Sequence, residues 1–161
     1  MVALKAVGPE DKELLWNLQQ KYLYEMTRFY DDEMDQVGNY HYGYFDAYFT
    51  DPERRALLIY NGSTLVGFAM IHPYSYVGEH DRLVLAEFTI FPRYRRERLA
   101  KRAVELIFEQ FPGTWEIKYH QENGAARELW NKVSAKYKPS RILLGEEETV
   151  LVFRTYSMGC F

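Results

Sequence analysis

The spacing of apolar residues changes several times along this chain, most sharply between Leu83 and Phe111. Leu83, Val84, Leu85, Ala86, Phe88, Ile90 and Phe91 form an apolar run broken only by Glu87 and Thr89, which predicts a buried strand. Pro92 ends it, because proline has no N–H to give to a ladder. From Arg93 the period changes. Leu99, Ala103, Leu106, Ile107 and Phe111 recur at helical spacing, so a helix is expected to run to about Phe111.

The same reading covers the rest of the chain. Val2 to Val7 alternates as a first strand, and Pro9-Glu10-Asp11 has the proline and acids of a helix start. Leu15, Leu18, Tyr22, Met26 and Phe29 then predict an amphipathic helix to about Tyr30. An acidic stretch (Asp31, Asp32, Glu33, Asp35) precedes Gly38 and a tyrosine-rich segment, Tyr40 to Phe49, expected to hold a short helix closed by Asp51-Pro52. Arg55 to Tyr60 and Ser63 to His72 read as a hairpin about Asn61-Gly62, two residues that tolerate positive φ. Pro73 to Asp81 is a loop, and Thr114 to Tyr119 is a strand after the central strand and helix. Asn123 is a plausible N-cap for a helix carrying Ala126, Leu129, Trp130 and Val133. Arg141 to Leu144 and Thr149 to Phe153 form a last hairpin. The order β-α-α-β-β-β-α-β-α-β-β predicts a three-layer α/β arrangement on a mixed sheet.

With 161 residues, 47% of them apolar and 27% charged, the chain is expected to be one soluble domain over 1–161. The sequence shows neither a basic-then-apolar leader nor an apolar run long enough for a bilayer, and a cytosolic, non-membrane protein is expected. The single Cys160 excludes an intrachain disulfide framework and a cysteine zinc site. His41, His72, His80 and His120 show no metal-ligand spacing, so no metal is expected. Aromatics reach 17%, with 14 tyrosines.

Charge changes the picture locally. Residues 93–102 carry a net +5, whereas the whole chain carries −3, leaving −8 elsewhere. Arginine at a helix start opposes the macrodipole unless an anion is present, and helix N–H groups there lack intrahelical partners. A strand feeding such a helix is a place for a phosphate. A solvated basic face and a nucleic-acid patch are the alternatives. The acidic remainder argues against duplex binding.

The strand, Phe91-Pro-Arg-Tyr-Arg95, the basic loop, the helix and Asn123-x-x-Ala126-x-x-Leu129-Trp130 together resemble the GNAT superfamily of acyl-CoA-dependent N-acyltransferases. The hairpin ending in Val66-Gly67-Phe68 agrees, and the resemblance spans nearly the whole chain. It implies an α/β/α fold with a mixed, mostly antiparallel sheet and a splayed strand pair. The family signature Q/R-x-x-G-x-G/A reads here Arg95-Arg96-Glu97-Arg98-Leu99-Ala100, with arginine at the central glycine position. By resemblance, Arg95 to Ala100 and Lys101 would hold the coenzyme A pyrophosphate, and Phe88, Thr89 and Ile90 would meet the acyl group on the strand. Asn123 and Trp130 would touch the cofactor arm, although capping alone explains Asn123. Arg98 either obstructs the phosphates with its side chain or adds a charge-assisted contact to them.

The resemblance also implies acetyl transfer from acetyl-CoA to a primary amine, with Glu87 as general base on its apolar strand. The structural alternative is a carboxylate paired with a neighbouring arginine. Many members protonate the leaving thiolate with a tyrosine where this chain has Trp130, so that role is vacant and solvent is left to supply the proton. Tyr22, Tyr30 and Tyr42 are expected to wall the acceptor site, with the acids of 31–35 attracting a cationic small amine. The alternative is a non-catalytic domain of this fold used for ligand sensing or protein contact. The reading leaves room for a homodimer.

Overall fold

The computed structural model describes residues 1–157; Cys160 lies outside the described residues, as does the side chain of Glu97. The chain runs through β1 (Val2–Ala6), a 3-10 turn (Pro9–Asp11), α1 (Lys12–Met26) and α2 (Ala47–Thr50). Then come β2 (Arg55–Asn61), β3 (Thr64–His72), β4 (Arg82–Ile90), a second 3-10 turn (Pro92–Glu97), α3 (Leu99–Gln110) and β5 (Gly113–His120). It ends with α4 (Gly124–Ser134), a third 3-10 turn (Ala135–Tyr137), β6 (Ser140–Leu144) and β7 (Glu148–Thr155). The expected order of strands and helices is the observed one.

Among the described residues the strands form one seven-stranded sheet, ordered β1-β2-β3-β4-β5-β7-β6. Every neighbouring pair is antiparallel except β4 and β5. The period-2 alternation of strands sends successive side chains to opposite faces, and the two faces have separate cores. Ala56, Leu58, Phe68 and Met70 pack with Leu15 of α1 and with Phe45 and Tyr48 around α2. Leu57, Ala69, Ile71 and Leu85 pack with Val104, Ile107 and Phe108 of α3 and with Trp130 and Val133 of α4.

Two helix boundaries differ from the sequence expectation. α1 stops at Met26 rather than near Tyr30. The Thr27 hydroxyl turns back to the Tyr24 carbonyl (2.6 Å), and the N–H groups of Phe29 and Tyr30 both bond the Met26 carbonyl in a tight turn. α3 starts at Leu99, not Arg93. The intervening residues wind as a 3-10 turn opened by Pro92, and Arg98 breaks it with a left-handed backbone (φ 59°, ψ 18°). All the apolar positions that predicted this helix lie at or beyond Leu99, so its periodicity could not locate the break.

Two features of β4 position the site. First, Met70 pairs with Glu87 but Ile71 pairs with Leu85, so Ala86 is an extra, bulged residue. Leu85 and Glu87 would otherwise share a face; the bulge leaves Leu85 under α3 and turns Glu87 toward α1. Second, β4 and β5 are paired only from Arg82–Val84 to Thr114–Glu116, and beyond Val84 they part. Gly67 helps to fix the opposite edge of β4, since a Cβ there would lie 2.2 Å from the Thr89 carbonyl oxygen.

Candidate active site

Glu87 stands where β4 has left β5, on the face covered by α1 and the tyrosine-rich segment. Its neighbour is not the arginine that a purely structural carboxylate would take: the Tyr22 hydroxyl of α1 lies near enough to influence it. Burial pushes the Glu87 carboxyl up to about 7, against the Tyr22 hydroxyl and the Lys118 charge, which pull it down, and with a smaller upward push from Asp32. The Glu87 charge in turn helps to raise the hydroxyls of Tyr22, Tyr42 and Tyr76, in each case behind the larger effect of burial. Tyr30 is raised first by burial and then by its hydrogen bond to Glu148. Tyr48 is pushed up to about 12, mainly by burial. All five phenols therefore stay protonated at neutral pH and act as donors or as apolar walls.

Tyr22, Tyr30 and Tyr42 are thus brought within electrostatic reach of Glu87. Tyr48, Tyr76, Lys118 and Glu148 join them and were not singled out from sequence. A signal existed for Lys118: Trp115, Ile117 and Tyr119 are the apolar face of β5, so Glu116, Lys118 and His120 alternate onto the Glu87 face. Tyr76 had none, because it lies in the β3–β4 loop. Lys118 Nζ sits 4.6 Å from the centre of the Tyr76 ring and 3.2 Å from Glu148 Oε2. The Tyr30 hydroxyl donates to the same oxygen (2.7 Å). His120 lies against Phe29 and Tyr30, accepts at Nδ1 from the Glu122 N–H (3.1 Å), and its Nε2 is 3.5 Å from Glu147. The Tyr48 hydroxyl is buried without a well-formed hydrogen bond, although Tyr42 is near enough to influence it.

An open cleft of about 720 Å³ is lined by Trp16, Glu33, Asp35, Tyr40, Tyr42 and Asp46 among others. The Glu87 carboxyl is not on the cleft wall; Tyr42 borders both.

The basic turn follows the C-terminal end of β4. Among the described residues no side chain bonds the first N–H groups of α3, those of Leu99, Ala100 and Lys101 included. Arg93, Arg96 and Arg98 are exposed and form no ion pair among the described residues, while Lys101 is 3.8 Å from Glu105. Arg95 is committed elsewhere. Its guanidinium binds both oxygens of Glu25 on α1 (2.6 and 2.5 Å), the Ile90 carbonyl (2.7 Å) and the Thr89 hydroxyl (3.2 Å). That bidentate contact holds the Glu25 carboxyl below its usual range. Glu97 ends the 3-10 turn. Of the strand residues, Thr89 and Ile90 are buried, and Phe88 packs edge-on against Trp130 (5.4 Å between ring centres). Trp130 is a core residue, buried under α4, and Asn123 caps that helix by accepting from the Ala126 N–H (3.1 Å). Among the described residues no cluster of His, Cys, Asp and Glu is arranged to hold a metal ion.

A model of the acetyltransferase (GNAT) family matches residues 15–134, from within α1 to the end of α4. The chain belongs to the GNAT acetyltransferase family. It is an acetyl-CoA-dependent N-acetyltransferase. Solved structures agree on the fold at low identity. An acetyltransferase from Thermus thermophilus superposes with a TM-score of 0.69 at 17% identity, covering 96% of this chain and 97% of that one. The PaiA N-acetyltransferase of Thermoplasma acidophilum, solved with coenzyme A, gives 0.62 at 12% identity, covering 97% and 99%. A spermidine N-acetyltransferase from Vibrio cholerae, described as dodecameric, gives 0.63 at 12%, covering 95% and 93%. A sequence search of curated proteins gives no match. In this acetyltransferase β4 and β5 part beyond Val84, and α3 starts beside exposed arginines. Among the described residues no helix is long and apolar enough to cross a membrane.

Proposed function

We propose that this acetyltransferase acts on the primary amine of a small cationic molecule, by direct attack on the thioester, with Glu87 as the general base. The observation that carries this reading is the Ala86 bulge, which turns a carboxyl on an otherwise apolar strand into a ring of tyrosines beside the β4–β5 gap. A carboxylate with its pKa near 7 is half deprotonated at neutral pH and is still basic enough to accept a proton. As the amine nitrogen bonds the carbonyl carbon, its proton passes to Glu87, directly or through one water, and the C–S bond breaks. The developing oxyanion needs a donor already in place, and the β4 backbone at Phe88, Thr89 and Ile90 runs along the gap without a strand partner on the β5 side. The leaving thiolate has an ordinary pKa near 8.5 and departs to solvent. Trp130 offers it no acid.

On the donor side, the N–H groups of Leu99, Ala100 and Lys101 and the side chains of Arg96 and Arg98 are proposed to hold the pyrophosphate. Arg98 keeps the left-handed backbone that glycine takes readily, and its exposed side chain is free to contact phosphate rather than block it. Arg95 is proposed as a clamp between the basic turn and α1 instead of a phosphate ligand. Asn123 and Trp130 are assigned to capping and core. On the acceptor side, Tyr22, Tyr30 and Tyr42 form a rigid amphipathic wall, and Asp32, Glu33, Asp35 and Asp46 line its approach with negative charge.

The test is release of free thiol from acetyl-CoA across an amine panel, with native protein and Glu87→Gln. Turnover should fall about 100-fold in the variant, with loss of the acid limb centred near pH 7 and with coenzyme A affinity kept. Unchanged kinetics in Glu87→Gln would remove this carboxylate from the mechanism.

A further inference from the structure

The vertex at which β4 and β5 separate is held by a charged group with no part in the chemistry above. Glu116 is the last β5 residue paired with β4, and it is fully buried. Its Oε1 accepts from the Tyr76 N–H (2.8 Å); its Oε2 accepts from the Ser75 hydroxyl (2.5 Å) and from Arg82 Nη1 (3.0 Å). Ser75 Oγ in turn accepts from the Val77 N–H (3.0 Å). One carboxylate therefore joins β4, through Arg82, to β5 and to the β3–β4 loop.

The same loop is tied at its start. The Tyr74 hydroxyl donates to Asp51 (2.7 Å), and the Arg54 guanidinium lies 4.7 Å from the Tyr74 ring centre while its Nε is 3.4 Å from Asp51. Both anchors converge on one outcome, the placement of Tyr76 under Lys118 and within electrostatic reach of Glu87.

We propose that Glu116 is a positioning residue for the acetyl-transfer reaction: by holding Ser75, Tyr76 and Arg82 at the strand vertex, it keeps the Tyr76 ring closed over Glu87 and water out. The inference rests on Glu87 being the base. A fully paired buried carboxylate is costly to disturb, since loss of one partner leaves the others buried without theirs. Its position at the end of the β4–β5 ladder explains why such a group is placed here: the backbone bonds stop at this point, and side-chain bonds take over the work of fixing the loop. The environment that Tyr76 completes also contains Tyr22 from α1, Tyr30 and Asp32 just beyond it, Tyr42 and Tyr48 around α2, and Lys118 from β5, itself paired with Glu148. With Tyr76 displaced, Lys118 stays and water enters, so Glu87 moves toward the ordinary carboxylate value near 4.5.

The experiment uses the full chain as native protein, Glu116→Gln, Ser75→Ala and Glu87→Gln. Glu87 is titrated in the free protein through its side-chain carbon resonance, identified by its absence in Glu87→Gln, and the pH profile of kcat/KM is measured beside it. In Glu116→Gln the Glu87 midpoint is expected to fall by about one pH unit and kcat/KM for the amine by about 10-fold at pH 7, with coenzyme A affinity unchanged. Ser75→Ala removes the hydroxyl's two hydrogen bonds, to Glu116 and from the Val77 N–H, but no charge, so it folds where Glu116→Gln fails to, and it should move the midpoint the same way by less. An unmoved midpoint in the folded variants overturns the positioning role. A native midpoint already near 4.5, or full activity in Glu87→Gln, overturns the base assignment and the positioning role with it, and is a separate result from an unmoved midpoint.

Discussion

Glu87 illustrates how much of a residue's chemistry is set by what surrounds it. The carboxyl is raised by burial, so the folded state holds its proton to higher pH than the unfolded chain does. Between the ordinary value near 4.5 and about 7 the folded state binds more protons, and stability therefore falls as pH rises through this window. Glu87→Gln has nothing to titrate there. Its melting temperature, measured from pH 5 to pH 8, should gain on that of the native protein as pH rises, the opposite of a salt-bridged acid. A constant difference across the range would mean that Glu87 is not raised. Arg95 carries the second lesson at this scale. Four hydrogen bonds tie it to Glu25, Ile90 and Thr89, so Arg95→Ala should cost about 1 kcal/mol in denaturant unfolding, kept small by the exposure of the pair. Coenzyme A affinity should change little. A large loss of affinity with unchanged stability would return Arg95 to the phosphate site.

The elements explain why these residues meet. α3 is an amphipathic helix with a well-defined apolar side, yet its start is set by Arg98, which sits in a left-handed conformation that costs a side-chain residue about 1 kcal/mol relative to glycine. Arg98→Gly should recover about that much stability, read by chemical unfolding, and should also weaken coenzyme A binding if the guanidinium serves the phosphates. Tighter binding after the change would show that the side chain obstructs. The strands, the hairpin at Asn61-Gly62 and the helix capped by Asn123 were legible in sequence because period, turn residues and caps are local properties. The bulge at Ala86 was not, because an apolar run reads the same with or without one extra residue. The end of α1 was missed for a related reason: Phe29 keeps the helical spacing, but a hydroxyl-backed turn takes the chain out of the helix.

Across the whole molecule, charge is divided between two mouths. The basic turn carries the +5 segment, and the cleft wall carries a share of the −8 that remains, including Glu33, Asp35 and Asp46. On the proposed function, the anionic donor is attracted at long range to one side and a cationic amine to the other. Added salt should raise the KM of both, several-fold between about 0.05 and 0.5 M, as the screening length falls below the span of the charged surfaces. Replacing Arg96 and Arg98 by glutamine should flatten the response for acetyl-CoA alone. A KM for acetyl-CoA that ignores salt would argue that backbone N–H groups, not arginines, carry the phosphate contact.

The sequence by itself determined the element order, the two-faced sheet, the basic helix start and the carboxylate on an apolar strand, since each depends on neighbours a few positions away. Tertiary structure alone decided which groups share the site. It took the bulge to turn Glu87 toward α1, the separation of β4 from β5 to open the gap, and a long-range fold to bring Tyr76, Lys118 and Glu148 to Tyr22, Tyr30 and Tyr42. Arg95 went to Glu25, 70 positions earlier, and Trp130 went into the core. Such pairings depend on which surfaces the packed layers press together, and nothing in local spacing encodes them.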